Sequence, residues 1–483
     1  MNRKSTHLRA DMESEPQVDP QRWYALALIL LPTLLISLNN YMMQVALPLM
    51  QTSLHASFSE AQLIFSGYSL GLAVALIVGG KLGDMYGRKR LLTLGVLGFT
   101  VMSLLGGIVS QPVILIVIRI VQGLSAAMIQ PQVLSMLQIN FLPREKGLVF
   151  AIYGAVIGVG FTLGLILGGF LIDWDLFGLD WRIVFLFNVP FGVLVLLFLP
   201  IIPESYGKVR AKLDWVGTIL LTLGLLLLII PITLGQKQGW PLWTWGCLMI
   251  SILILLAFLA VQLRKMKGQN EGLIDLSIFK ANSFGIGIVT VIVIYLSMFS
   301  FFFILNYYVQ SGLHYDVRAA SLVFLPLGVG YFLTSLLSSR LVQKWGNVVL
   351  KTGALLMGIS SLLLMGSMYL DAGHLFIPQN IILLSVYGLG LGMATTPLSN
   401  IVLSIVPAIE AGTGSGLFTT CMYVSNSLGV ACIGILFSSS LGQIQSLANL
   451  EDYTRAFSIS IAVSGVLAFI AYVCIRHLPE SYK

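Results

Sequence analysis

Apolar and polar stretches alternate along the chain at membrane length. Fourteen apolar runs fall at about 24–48, 61–80, 91–109, 113–138, 147–172, 184–202, 213–234, 243–263, 283–308, 319–339, 349–370, 378–403, 411–438 and 455–475. Each is long enough to cross a hydrocarbon layer as a helix. In lipid, backbone amides must be satisfied within the segment or within a closed barrel, and continuous apolar runs of this length select helices. The pattern predicts an all-α polytopic membrane protein with about fourteen transmembrane helices. Within the twelfth run, Thr395, Thr396 and Pro397 predict a break or kink.

Composition agrees and narrows the function classes. Of 483 residues, 57% are hydrophobic and 10% charged, with mean hydropathy +0.92, a balance no soluble domain has. The net charge of +7 does not point to nucleic acid, because the basic residues lie in separate loops. Cys247, Cys421, Cys432 and Cys474 all fall in apolar runs, which predicts small core residues and neither disulfides nor a metal site. The polar first 22 residues carry no short apolar core with a cleavage site, so the first span is expected to direct insertion.

Charge also orients the chain. An even number of spans puts both termini on one side, and 22 of the 27 basic residues lie on that side. Arg182, Lys237, Arg318 and Arg455 lie on the other, and Arg119 alone falls within a span. This bias predicts that both termini face the cytoplasm, with the protein integral to the plasma (inner) membrane.

The stretch Gly80-Lys81-Leu82-Gly83-Asp84-Met85-Tyr86-Gly87-Arg88-Lys89-Arg90 joins the second and third runs. Gly80 and Gly83 permit close backbone approach, Gly87 a tight turn, and Asp84 can pair with Arg88 or Lys89. Leu341-Val342-Gln343-Lys344-Trp345-Gly346-Asn347 echoes Leu82–Arg88 after the tenth run, a faint internal repeat. It suggests halves at 1–203 and 275–483 around an inserted helix pair at 204–274, opened by Asp214-Trp215-Val216-Gly217 and turned at Gly239-Trp240.

The spacing G-x-L-G-D-x-x-G-R-K resembles the signature loop of the major facilitator superfamily. Three further stretches carry the resemblance. Arg119-Ile120-Val121-Gln122-Gly123-Leu124-Ser125-Ala126-Ala127 resembles the family's R-x-x-Q-G-x-x-A-A pattern. Gly154, Gly158, Gly160, Gly164, Gly168 and Gly169 resemble its glycine-rich antiporter helix, although Leu165 stands where a proline follows the fourth glycine. Trp181-Arg182-Ile183-Val184-Phe185-Leu186-Phe187-Asn188-Val189-Pro190-Phe191-Gly192 is similar to a run typical of the fourteen-helix drug–proton antiporters. The resemblance implies two six-helix halves plus an inserted pair. It also implies a loop (Gly80, Asp84, Gly87, Arg88, Lys89) that latches the halves together, and a secondary transporter with its substrate near the midplane.

The residues themselves nominate a site. Arg119 is a charge at membrane depth, functional by default, with a structural arginine satisfied by neighbouring carbonyls and glutamines as the plainer alternative. Gln122 follows on the same helix face, which is expected to line a central cavity. Asn39, Asn40 and Gln44 form a polar patch before Val45-Ala46-Leu47-Pro48, with Asn39 where the related branch has aspartate and Gln44 where it has asparagine. Amides hydrogen-bond but carry no proton. Tyr295, Tyr423 and Asn426 are mid-span candidates, while Asn306, Tyr307 and Gln310 lie towards the end of the ninth run. Gly160, Gly164, Gly168 and Gly169 are read as packing or hinge positions between the halves.

None of the twenty acidic residues lies deep in a run, which leaves Asp84, Asp173 and Glu410, near span ends, for any proton coupling. The cavity is therefore expected to be neutral to positive, favouring neutral, zwitterionic or anionic amphiphiles over lipophilic cations. The reading is a monomeric secondary transporter, without cofactor, exporting small amphiphiles by alternating access in exchange for protons. A facilitator or uptake transporter for a neutral or anionic metabolite, without proton coupling, is the alternative, and a receptor would not need the matched charged turns after the second and tenth runs. A membrane enzyme is disfavoured because His7, His55, His314, His374 and His477 all lie outside span interiors, and no phosphate-binding loop of the G-x-x-x-x-G-K-[ST] kind supports ATP-driven pumping.

Overall fold

The structure is a computed structural model that describes residues 22–206, 214–235, 238–267, 272–273, 276–280, 282–370, 378–405, 411–442 and 449–478. Fourteen helices among the described residues are long and apolar enough to cross a membrane. They are α1 (Arg22–Ser53), α2 (Phe58–Tyr86), α3 (Arg88–Gly106), α4 (Pro112–Asn140), α5 (Pro143–Asp173) and α6 (Asp180–Ile201). Next come α7 (Trp215–Gly235) and α8 (Leu242–Lys267). The last six are α9 (Asn282–Tyr307, continued by a π-turn at Tyr308–Gly312), α10 (Val317–Val323 and Leu325–Trp345), α11 (Val348–Leu370), α12 (Pro378–Ser404), α13 (Ala411–Leu441) and α14 (Leu450–Arg476). The face where α1 begins is called near, the opposite face far.

Three boundaries differ from the expectation. The first helix does not stop at Pro48 but runs on to Ser53, with Pro32 and Pro48 inside it. The α2–α3 connection is not a loop over residues 80–90. Helix α2 persists through Tyr86 and the chain turns on Gly87 alone, at φ +105°. Pro397 lies inside an unbroken α12, so the expected break is absent; the break falls instead within α10, before Pro326.

Glycine sets the packing of each half. In α2 and α4, Gly71, Gly79 and Gly123 sit against the carbonyls of Ile120, Ala127 and Tyr68, where a Cβ would overlap main chain. Gly388 of α12 meets the Leu327 carbonyl of α10 in the same way, and Gly330 meets that of Ser385. Helices α7 and α8 pack on each other, joined by a Ser251 Oγ hydrogen bond to the Gly224 carbonyl (2.8 Å), and α7 also rests on α2 and α13.

The two sets of helices meet along α2 and α13 and close on the far side. There Gln62 Nε2 donates to the Val430 carbonyl (2.9 Å), and Phe58 packs on Tyr307 and Phe437 at centroid distances of 4.9 and 6.2 Å. Helix α5 touches α10 at Thr162–Gly328 and Gly169–Ser321. Nearer the near face, Gly158 only just reaches Tyr331, and the exposed Gly154 meets nothing within 4 Å. Helices α5 and α10 diverge towards the near face, whereas α2 and α13 stay in contact at Ile77 and Gly416.

Candidate functional site

Arg119 is fully buried, but inside the α1–α6 bundle rather than open to the space between the halves. Its Nε donates to the Ile64 carbonyl (3.1 Å), and one Nη donates to Asn39 Oδ1 (2.9 Å) and Gln122 Oε1 (2.6 Å). Its guanidinium lies over the Tyr68 ring at 4.5 Å. A desolvated cation over an aromatic face gains about 2 kcal/mol, which helps offset burial. Gln122 in turn donates to Ser103 Oγ of α3 (2.9 Å), so it is anchored while it holds Arg119, and it does not face a cavity. No carboxylate among the described residues pairs with Arg119, and one guanidinium nitrogen has no partner. This matches the structural alternative, with positive potential left beside Asn39. Asn40 and Gln44 are buried further along α1, with the Asn40 carbonyl oxygen and both side-chain polar atoms of Gln44 unpartnered.

The mid-span space between the halves is defined by phenols. Tyr41 of α1 lies within electrostatic reach of Tyr331 of α10, Tyr295 of α9 and Tyr423 of α13, and Tyr153 of α5 within reach of Tyr423. All but Tyr423 are partly exposed. Gln130 of α4 donates to the Tyr423 hydroxyl across the halves (2.8 Å), leaving its own carbonyl oxygen free of partners. Phe161 packs on Tyr41 at 4.7 Å and Tyr331 at 4.5 Å. The hydroxyls of Ser335, Thr395 and Thr396 adjoin Tyr331. Such a lining offers flat apolar faces and hydroxyl donors and acceptors. Tyr295 and Tyr423 are the two of these that mid-span position marks in the sequence. Tyr41, Tyr153 and Tyr331 were not singled out, because tyrosine in a membrane protein is most often an interfacial residue. Asn426 lies between α13 and α2, where it donates to Ser69 Oγ (2.7 Å), and so bridges the halves.

The signature loop is held mainly by its own half. Arg88 pairs with Asp84 at 2.6 Å. The Glu204 carboxylate, beyond α6, accepts from the backbone N–H groups of Lys89 (2.9 Å) and Arg90 (3.1 Å) and presses on Gly87, so it caps α3 and fits the positive end of that helix dipole. The Lys89 ammonium reaches the Pro200 carbonyl. Gly83 is packed on Gln132 of α4, whereas Gly80 makes only ordinary contact with Pro131. Lys81 Nζ also donates to the carbonyl of Gly272, beyond α8, at 2.8 Å. Glu204 was missed, although the sequence carries a signal: Pro203-Glu204-Ser205-Tyr206 recurs as Pro479-Glu480-Ser481-Tyr482.

The glycines of α5 divide. Gly160, Gly164 and Gly168 pack on Ser37, Leu38 and Met42 of α1 within one half, whereas Gly169 meets the other half closely at Ser321 and Gly158 just reaches Tyr331. Among the carboxylates, Asp173 pairs with Arg318 at the far rim (3.6 Å), Asp84 with Arg88 at the near edge, and Glu410 lies outside the described residues. Asp214 is a buried hub. It pairs with Lys265 (2.6 Å) and accepts from Gln262 Nε2 and the Gly217 and Leu273 N–H groups. Burial pushes its carboxyl up, but the hydrogen bonds from Lys265, Gln262 and Gly217 and the Lys265 charge outweigh that and hold it below the usual carboxylate range.

Known proteins place this arrangement. A model of the Major Facilitator Superfamily matches residues 29–430. A probable actinorhodin transporter of Streptomyces coelicolor is 35% identical over 92% of this chain and 77% of its own length. The puromycin resistance protein pur8 of Streptomyces alboniger is 30% identical over 96% and 93%, and the tetracenomycin C resistance and export protein of Streptomyces glaucescens 29% over 87% and 77%. Among solved structures, a bacterial homologue of the human lysosomal transporter Spinster aligns over 95% of this chain and 98% of its own (TM-score 0.68, 15% identity). The xylose transporter XylE from E. coli aligns over 94% and 99% (TM-score 0.64, 15% identity). The chain therefore belongs to the Major Facilitator Superfamily, alongside its drug-efflux members, and is an integral-membrane transporter rather than an enzyme.

Proposed function

We propose that the protein exports small aromatic amphiphiles without positive charge by alternating access, in exchange for protons. The tyrosine lining between the halves, without a central carboxylate among the described residues, supports this reading. Three relatives named for transport of actinorhodin, export of tetracenomycin C and resistance to puromycin support the direction. The charge bias supports near-face termini in the cytoplasm of the plasma (inner) membrane. We take residues 1–203 and 275–483 as the moving halves, 204–274 as an inserted pair, and the monomer as the working unit. Compounds enter from the near face, where α5 and α10 diverge, and rest among Tyr41, Tyr295, Tyr331 and Tyr423, with Asn40 and Gln44 beyond. Arg119 acts through its field and by holding Asn39, not as a direct ligand.

The test is everted membrane vesicles with an imposed proton gradient, followed with a pH-sensitive dye and a labelled neutral aromatic compound. Export by antiport gives gradient-dependent accumulation and dye recovery. Labelled compound that equilibrates without a gradient supports the second reading, a facilitator, which the absence of a central carboxylate among the described residues favours.

A further inference from the structure

Proline inside a helix removes one hydrogen bond: its missing N–H leaves the carbonyl four residues earlier without its helical partner. In α1, Pro48 has this effect on the carbonyl of Gln44. At membrane depth such a carbonyl needs another donor. The structure supplies it from the other half of the molecule. Asn306 Nδ2, at the far end of α9, donates to the Gln44 main-chain oxygen at 2.5 Å. Gln310 Nε2 donates to the next carbonyl, Val45, at 2.7 Å, and to Asn306 Oδ1 at 2.8 Å. Gln310 sits in the π-turn Tyr308–Gly312, a local widening of the helix that re-aims side chains. Gln44 and Asn306 are buried, 1% exposed each, so water has no ready access to the joint.

We propose that this joint is the far-side gate of the transport cycle: Pro48 creates an unpaired main-chain acceptor on α1, and Asn306 with Gln310 close on it. Opening towards the far face must break these hydrogen bonds together and expose the Gln44 carbonyl. The lock therefore sets how often the protein opens outward. It contains no ionisable group, so its strength does not follow pH. The part of Gln44 that matters is its backbone; its side-chain amide has no partner in the closed joint. The proposal rests on the alternating-access reading, but the following test needs no substrate.

Spin labels are placed by Leu176→Cys and Leu450→Cys, both exposed on the far side, with the four native cysteines replaced by alanine. Inter-label distances are measured in lipid nanodiscs. The parent protein is expected to show one dominant short distance. A neutral hydrogen bond contributes about 1 kcal/mol net, so each one removed should raise the long-distance fraction about fivefold. Asn306→Ala and Gln310→Ala should each populate the longer distance, and the double variant should favour it. Pro48→Ala returns an N–H that competes for the Gln44 carbonyl, and should shift the distribution in the same direction. Gln44→Met keeps the carbonyl and should leave it unchanged. Gln310→Ala, a truncation at a half-buried position, keeps the test open if Asn306→Ala misfolds. Unchanged distances in Gln310→Ala and Pro48→Ala, or a shift in Gln44→Met equal to theirs, would overturn the lock. If the distances shift as expected but no compound is exported in vesicles, the gate stands and the export reading falls.

Discussion

On the far face, the halves are joined by amides and aromatic rings: Asn306 and Gln310 on main-chain oxygens of α1, Tyr307 on Gln51 (2.8 Å), Phe58 between Tyr307 and Phe437. On the near face, the chain is held by charge: Asp84 with Arg88, Glu204 on the start of α3, Asp214 with Lys265. The far contacts cross between the halves. Among the described residues, these near contacts stay within one half or tie it to the inserted pair and its linkers, as Lys81 does at Gly272. Depth explains the division. A charge buried in hydrocarbon is expensive, so a seal at membrane depth is built from neutral groups, and the far-side ion pairs among the described residues, Asp173 with Arg318 between the halves and Asp452 with Arg455 within one, lie at the rim. At the near edge water screens the part-exposed charges of Asp84 and Glu204, while the buried Asp214 is held by Lys265 and by hydrogen bonds from Gln262, Gly217 and Leu273.

This contrast can be broken by exchanging the chemistries. The largest effect is expected from Asn306→Asp. An ionised carboxylate would face the Gln44 carbonyl, acceptor against acceptor, and transport should fall at least tenfold at pH 8. It should recover as pH falls, because burial raises such a carboxyl and its protonated form can donate. Initial rates in vesicles across pH would show whether the recovery occurs. Second, Asp214→Asn strands Lys265 without its counter-charge, and should cost about 3 kcal/mol and lower the thermal midpoint of the purified protein. Third, Glu204→Gln weakens the cap on α3 by about 1 kcal/mol, seen as faster hydrogen exchange at Lys89 and Arg90 while the far-side distances stay fixed.

The smallest effect concerns pH. Asp214 has a lower pKa folded than unfolded, so its stabilising contribution is complete above the unfolded value of about 3.9 and lost only as pH falls through the folded value. Proteolysis at the inserted-pair linkers should therefore be flat from pH 5 to 8. Increased cleavage at pH 6 would show that the hub titrates where Asp214 does not.

Much of the fold was legible because its signals are local. Run length predicts spans, and Gly87 marked the turn before α3. Partners brought from elsewhere in the chain were not legible. The departure of Asn39 from aspartate pointed to a cavity without a carboxylate, but Arg119 turned inward to Ile64, Asn39 and Gln122, because helix-face periodicity cannot say which neighbour a face meets. Gln44 drew notice for its side chain, whereas its backbone carries the contact; the proline four residues on was the available clue. Tyr41, Tyr153 and Tyr331 converge only once five helices are assembled.

The most direct test of the central claim is transport of three planar aromatic compounds matched in size and apolar area, one neutral, one anionic and one permanently cationic. Initial rates are compared in vesicles holding the intact protein and Tyr331→Ala. The account predicts saturable transport of the neutral and anionic compounds, reduced several-fold by Tyr331→Ala, and little transport of the cation. Tight, saturable efflux of the cation at the same or a higher rate would contradict it.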